Sequence, residues 1–455
     1  MPLACMAIGS NVDRAKYEVI IIDGRLEDDP IARIEKHLPD AICFGATVLT
    51  GSPLKDALEI SNLVSKLAPS LPIIWGGWHA SLFPTEVLKD TPSVDFTVQG
   101  QGEITFSELL ECIESSGDFA KIDGICYRTA DGTIKKNKGR VLTPMDQLVP
   151  VDYSLIDVEA YFRLKKRRQL DYISSTGCYF RCTFCADPFV FNRSFTAISA
   201  ERVGEELAEL HEKYRFDDLN FQDETFFTYP KRIEAIADEL IARSVNISWA
   251  ATMRADQGFR MTDEQFSKCV TSGMRRVLIG VESGSQEMMD WLAKDIKMEH
   301  VLFCAERCKQ FGVSVIFPFI VGFPGESDKS IHATKKLIKH LRKMSRSFDT
   351  PVFYFKPYPG SKITEDVVKE GYQLPSTTAE WADFDYIGSK GPWVSEQKYR
   401  EFERFKFYTK AAYSKQGISK IPIQLLAKAR CSLDFYALAF EKRLFDYFVP
   451  KQRLS

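Results

Sequence analysis

Short runs of β-branched and aromatic residues alternate with helix-patterned stretches along most of this chain, in two successive blocks. Strands that read as apolar on both faces, each followed by a helix, build parallel sheets covered by helices. In the first block "YEVIIID" (17–23), "AICFGAT" (41–47), "PIIWGG" (72–77) and "FTVQGQ" (96–101) read as such strands. Between them "SPLKDALEISNLVSKLAP" has apolar residues at helical spacing. The expectation for residues 1–138 is a doubly wound, Rossmann-like parallel sheet, whose ligands sit beyond the carboxyl ends of its strands. Polar, glycine-bearing loops fall at those ends: "GATVLTGS" (45–52), "GGWHAS" (76–81) and "GQGE" (100–103).

Residues 139–167 read as a connector of turns and extended chain. From 168 to 370 the alternation resumes, with "LDYISST", "DLNFQ" (218–222), "SWAATMR" (248–254), "RVLIGVE" (276–282), "VSVIFPFIVG" (313–322) and "PVFYFKPYPG" (351–360) as strands. Six βα-type units are too few for an eight-fold barrel and fit a partial, six-stranded (β/α)6 barrel. Residues 371–455 read as irregular and then mostly helical, with many aromatics.

A chain of 455 residues with 45% hydrophobic and 27% charged residues has material for two or three domains with full cores. A net charge of −2 gives no basic field for nucleic acid. With no leader of the secretory kind and no run of about 18 apolar residues, the expected compartment is the cytoplasm. There, thiols stay free, bind metal or do chemistry. Of eleven cysteines, Cys5, Cys43, Cys112, Cys126, Cys269 and Cys431 are scattered and read as small core residues. Cys304 and Cys308 are a helical turn apart, but no second pair or nearby histidine supports a metal there, so they also read as core.

The remaining three, Cys178, Cys182 and Cys185, crowd into "STGCYFRCTFCADP" (174–187) with the spacing C-x3-C-x2-C. Structural zinc wants four ligands, usually as two separated pairs, and no second C-x2-C exists here. A thioredoxin-type C-x2-C needs only two cysteines. An iron–sulfur cluster is held by thiolates; four saturate a 4Fe–4S cube, and three leave one iron open for a small ligand.

This spacing, just after the first strand of a βα array and with Phe184 before the third cysteine, resembles the radical S-adenosylmethionine (radical SAM) superfamily. The resemblance implies a 4Fe–4S cluster on Cys178, Cys182 and Cys185, whose open iron chelates S-adenosylmethionine. It implies one-electron reduction, by a donor such as ferredoxin or flavodoxin, to a 5′-deoxyadenosyl radical. It also suggests cofactor contacts. Gln222, Asp223 and Glu224 in "QDET" end the second strand, where the ligand's amino group would lie; their bland alternative is a helix cap. Arg254 ends "SWAATMR" and would pair with a carboxylate, its alternative being a surface ion pair. Glu282 would accept from ribose hydroxyls. Gly322, in "FIVGFPGE", would lie against adenine, its alternative being an ordinary strand-to-helix turn.

The first block looks like the domain that precedes the barrel in the cobalamin-binding subgroup, so the resemblance covers about residues 1–370. It implies cobalamin at Thr47, Thr50, Ser52, Gly76, Gly77, His79, Gly100 and Gly102. Gly76 and Gly77 let backbone approach a bulky ligand, or form a tight turn. Thr47, Thr50 and Ser52 offer donors near a helix start, suited to a phosphate-bearing tail. The D-x-H-x-x-G signature is absent, and no protein histidine is expected on cobalt. The subgroup has a strand ahead of the position of Leu3, central in a 2-1-3-4-5 sheet, so the sheet is expected to lack its first strand and with it, in one reading, cobalamin.

The usual outcome in this subgroup is methyl transfer to an unactivated carbon of a small-molecule or lipid-like substrate. The alternatives are a non-methylating cyclase or ring-contracting oxidoreductase, and a non-enzymatic iron–sulfur or cobalamin-binding regulator. In the tail, "YREFERFKFYTKAAY" and "SLDFYALAFEKRLFDYFVP" set aromatics and Lys or Arg at helical spacing. Such a face fits a membrane surface or packing over the barrel, the latter being the commoner use. No spacing singles out a catalytic acid, base or radical quencher.

Overall fold

The computed structural model describes residues 1–384, 390–413, 421–437 and 439–442. These form two compact units, neither continuous in sequence. The first comprises Met1–Thr252, Thr262–Met274 and Pro357–Tyr386, and the second Met253–Met261, Arg275–Lys356 and Ile387–Ser455.

The first unit opens with a five-stranded sheet: β1 (Phe44–Thr47), β2 (Ile73–Gly76), β3 (Phe96–Val98), β4 (Ile125–Arg128) and β5 (Ile134–Lys136), in that spatial order. Strands β1 to β3 are parallel; β4 and β5 run antiparallel, so the sheet is mixed rather than wholly parallel. The β4–β5 hairpin has a local cause missed above. Asp131 and Gly132 form its turn, Gly132 at φ +83°, with the Asp131 carboxylate accepting from Thr133 N at 3.0 Å.

Residues 17–23 are not a strand. Their β-branched composition is a preference for pleated, partnered surroundings, and they pair with no strand among the described residues. Strand β1 is the edge of the sheet, and no strand precedes it among the described residues. The segment is held by side chains instead. Val19 lies so close to Gly9 that a Cβ there would come within 2.8 Å of it, and Ile22 packs with Phe44 and Ala46 against the core under β2.

The same unit continues with β6 (Gln169–Tyr172), β7 (Ser175–Gly177), β8 (Phe195–Ala197), β9 (Asp218–Phe221) and β10 (Ser248–Met253). Strand β9 pairs in parallel with both β6 and β10, while β7 and β8 form an antiparallel ribbon. The single strand expected at "LDYISST" is therefore two. Helix Ala200–Tyr214 buries Val203, Gly204 and Leu207 on one face. Gly204 is small by necessity: a Cβ there would lie 2.6 Å from Glu239 Cβ on helix Pro230–Ala242.

The second unit holds β11 (Met274–Ile279), β12 (Ser314–Ile316), β13 (Phe319–Val321), β14 (Phe348–Asp349) and β15 (Val352–Tyr354). Strand β12 pairs in parallel with β11 and β14, and β13 with β15. Strands β6, β9, β10, β11, β12 and β14 are the six-strand parallel sheet of a partial barrel. Helices Glu396–Tyr413 and Ile421–Ser432 make up the described C-terminal part of this unit. The aromatic tail stretch continues into residues 443–455, outside the described set.

Candidate functional site

The three cysteines lie on the loop between β7 and β8, and the sequence around it fixes that loop from three sides. Gly177, at φ +85°, begins it; a Cβ there would lie 2.3 Å from Ser194 O, so only glycine lets the ribbon close. The turn at Cys182 is closed by Cys185 N donating to Cys182 O at 3.2 Å. Ile363 N donates to Thr183 O at 3.0 Å, so the returning 357–386 segment holds the middle of the loop.

Beneath the loop Asp223 is fully buried. Its carboxylate accepts from Ser174 N at 2.8 Å, Ser174 Oγ at 2.7 Å and Ser175 Oγ at 2.5 Å. Arg232 donates to Ser174 O and Ile198 O, both at 2.8 Å. Burial raises the Asp223 pKa, opposed by these donors and by the Arg232 charge. Asp223 thus caps no helix and does not reach outward; it ties the end of β9 to the strand carrying the cysteines. Gln222 also turns aside, donating to Asp171 Oδ1 at 3.2 Å, while Asp171 accepts from Lys165 at 2.7 Å.

Glu224 is the member of the trio left beside the loop. Burial pushes its carboxyl up to about 7, helped by Asp187 and Asp223, and opposed by backbone donors at Glu224 itself and Gly177. The Cys185 thiol is pushed up by burial, then by the Asp187 carboxylate, Cys182 and Cys178. A thiol whose ionisation its surroundings disfavour in this way suits a cationic centre that would relieve the repulsion. Among the described residues no three His, Cys, Asp or Glu side chains converge on a single metal ion. Three cysteines on one loop with no fourth beside them in sequence match a cube with one open iron better than the four closed ligands of structural zinc.

The loops ending β2 and β3 lie against this cysteine segment. Trp78 meets Phe191 edge-on at 5.8 Å. Gly100 backs onto Val190 O, and Gly360 onto Leu82 and Phe189. Ser81 Oγ joins the two loops, accepting from Gly100 N at 2.9 Å and donating to Gly77 O at 2.7 Å. Gly77, at φ +91°, is a steric turn, since a Cβ would lie 2.8 Å from Val48 O; at Gly76 a Cβ would meet nothing within 4 Å. The pair is thus both a turn and an open space, the latter being the kind of void a bulky ligand fills. Gly102 packs on Ile8 and Val98 at the start of helix Glu103–Ser115.

His79 stands two residues after Gly77. It is fully buried, with Nδ1 3.0 Å from Thr50 Oγ1 and its ring against Phe83 and Trp381. Its Nε2 has no partner, and burial lowers its pKa to about 4. His79 and Thr50 are therefore core groups. Thr47 lies exposed, its Oγ1 3.4 Å from Cys5 Sγ, and Ser52 is exposed at the start of helix Pro53–Leu67 without capping it.

In the second unit the remaining residues stand at strand ends. Arg254 is buried rather than on the surface, donating to Asp256 Oδ1 at 2.9 Å and Lys294 O at 2.5 Å. Glu282 follows β11 at φ +66° and accepts from the buried Lys294 at 2.6 Å. Gly280 leaves room for that pair, since a Cβ there would lie 2.7 Å from Glu282 Oε1. Gly322, at φ +80°, ends β13; a Cβ would lie 2.2 Å from Val394 Cγ2. Its N–H donates to Glu326 Oε2 at 2.6 Å. A small cavity beside it is lined by Phe323, Glu326, Trp393, Val394 and Lys398. Trp78, Ser81, Asp187, Phe191 and Lys294 were not singled out from sequence. Only Asp187, two residues after the last cysteine, carried a local signal.

Two family models match the chain. The family model described as the radical SAM superfamily matches residues 172–338, and that described as the B12 binding domain matches residues 1–110. The chain is 28% identical over 405 residues to an uncharacterized methyltransferase, PH0819, of Pyrococcus horikoshii, covering 87% of this chain and 84% of that protein. It is 24% identical over 347 residues to the anaerobic magnesium-protoporphyrin IX monomethyl ester cyclase of Synechocystis, covering 74% and 68%. The structure of the cobalamin-dependent S-adenosylmethionine radical enzyme OxsB, with aqua-cobalamin and S-adenosylmethionine bound, matches at TM-score 0.75 and 18% identity, covering 98% of this chain and 72% of that one.

Proposed function

This chain belongs to the cobalamin-dependent radical SAM enzymes, a B12-binding domain followed by a radical SAM domain, and from that premise we propose that it methylates an unactivated carbon of a small-molecule or lipid-like substrate. Its cofactors are a 4Fe–4S cluster, S-adenosylmethionine and cobalamin, and like its family it acts on a substrate and needs a reductant. When bound, these groups supply a carbon-centred radical and a transferable methyl group.

The chain's own residues do the positioning. Cys178, Cys182 and Cys185 would hold the cluster on a loop that Asp223, Gly177 and Ile363 keep rigid before anything binds. Glu224 would take the ligand's ammonium, a role that needs its ionised form. Arg254, Glu282 and the Gly322 turn offer a guanidinium, a carboxylate and close backbone approach at the ends of β10, β11 and β13. The space beside Gly76 would admit the corrin. The observation that carries this reading is the packing of the β2 and β3 loops on the cysteine segment, Trp78 against Phe191. It sets the B12-type loops next to the cluster loop.

Anaerobic reconstitution with iron, sulfide and hydroxocobalamin tests the first half, with about four irons and one corrinoid per chain expected. Product formed from S-adenosylmethionine with a deuterated methyl group tests the second; a product that gains no label sinks the methyltransferase reading. The cyclase likeness supports a second reading, oxidative ring formation, which makes 5′-deoxyadenosine and no labelled product. A regulator would make no 5′-deoxyadenosine at all.

A further inference from the structure

We propose that the outward face of helix Ile421–Ser432 docks this protein on an anionic membrane surface. The inference does not rest on methyl transfer. Most helices of a folded chain have one apolar face, which they bury. This helix has two. Ala427 and Cys431, one turn apart, are buried against helix Glu396–Tyr413. On the side away from them Ile421 and Leu425 lie one turn apart with Leu426 beside them, all exposed, and exposed Leu433 follows the helix end. Leu425 is 60% exposed and Leu433 76%; in the sequence that follows, Phe435 and Phe440 are also exposed, at 47% and 64%. The aromatic helix before it behaves differently, burying Phe402, Phe405 and Tyr408.

Charge selects the occupant. The helix itself, Ile421–Ser432, carries Lys428 and Arg430 and no Asp or Glu. Arg430 is occupied by Glu441 at 2.9 Å, and Asp434, the first acid after the helix in the sequence, pairs with Lys339 at 2.5 Å. What faces outward is a leucine-rich stripe flanked by exposed Lys428. Apolar side chains that enter the acyl boundary, with lysines at headgroup level, are the pattern of an interfacial helix on anionic lipid. No helix among the described residues is long and apolar enough to span a membrane, so the contact is with one leaflet.

Co-sedimentation of the full reconstituted chain with vesicles tests this. Vesicles of phosphatidylcholine with one third phosphatidylglycerol should bind it, pure phosphatidylcholine at least about tenfold less, and salt should weaken binding. The double variant Leu425→Glu, Leu426→Glu should lose about tenfold or more in binding with an unchanged Tm, and Lys428→Glu several-fold. Equal binding to both vesicle types, or binding indifferent to these changes, overturns the proposal. So does a dimer in analytical ultracentrifugation that the double variant dissolves while wild type ignores vesicles, since a second copy then covers the face. Failure of wild type to bind vesicles also overturns it.

Discussion

The loop that carries the cysteines and the loops that end β2 and β3 touch each other, yet they are held in different ways. The first is anchored by polar chemistry: one buried carboxylate takes three hydrogen bonds from two consecutive serines. The second pair is shaped by what is left out. Glycine at 77 allows a turn no other residue fits, glycine at 76 leaves an open space, and the nearby imidazole of His79 is sunk in the core. A cluster needs thiolates held at fixed corners, which rewards a rigid anchor. A bulky flat ligand needs volume, which rewards small residues and firm packing behind them.

The largest effect expected is on the cysteines. Cys178→Ala, Cys182→Ala or Cys185→Ala should each abolish the cluster and 5′-deoxyadenosine formation while leaving bound corrinoid nearly unchanged. Iron content and absorption spectra check this, and a variant that keeps a full cluster breaks the contrast. Next, Asp223→Ala strips the partner from two buried serines and removes the charge that faces buried Arg232, and should cost on the order of 4 kcal/mol. Chemical denaturation would show this, and iron loading should fall with it.

The matching perturbation on the other side is acid. His79 titrates at about 4 in the folded protein, against 6.5 when free. Below 6.5 the unfolded chain takes up a proton that the folded one refuses. Stability is full above that pH and declines as pH falls towards about 4, by on the order of 3 kcal/mol from this residue. His79→Leu should flatten that limb without changing iron content. The smallest effect concerns Glu224, whose carboxyl is pushed up to about 7. It must be ionised to hold an ammonium, so S-adenosylmethionine affinity should rise as pH rises through 7. Glu224→Gln should lose about tenfold and the pH dependence together, as calorimetry on reconstituted protein can measure.

The difference between the two regions also explains what could be read in advance. Cysteine spacing is local and survives any fold, so the cluster loop and its strand context were legible. So were the glycines, whose need for positive φ or close approach is a property of single positions. The failures were matters of partnership. "YEVIIID" has the composition of a strand but pairs with no strand among the described residues. Asp223 and Glu224 are adjacent carboxylates, yet one faces Ser174 and Ser175 and the other the loop above, which only the folded register decides. His79 stood in a ligand-like motif, but Trp381, roughly three hundred residues away, covers it. The β4–β5 hairpin was the exception, since its Asp-Gly turn was in plain view.

That covering tryptophan has a consequence for synthesis. Gly51 N donates to Trp381 O at 3.1 Å, Thr378 N to Asp90 at 2.9 Å, and Trp381 and Ala382 close the core over Val48, Trp75 and Ala80. None of this exists while the ribosome is still translating the barrel. At about 5–20 residues per second, roughly 15–60 s separate the emergence of Phe83 from that of Trp381. Throughout that interval the N-terminal sheet waits with an apolar flank bare, a natural client for whatever shields nascent chains. A chain truncated ahead of the Trp381 segment should be prone to aggregate even though every strand of its first sheet has been made.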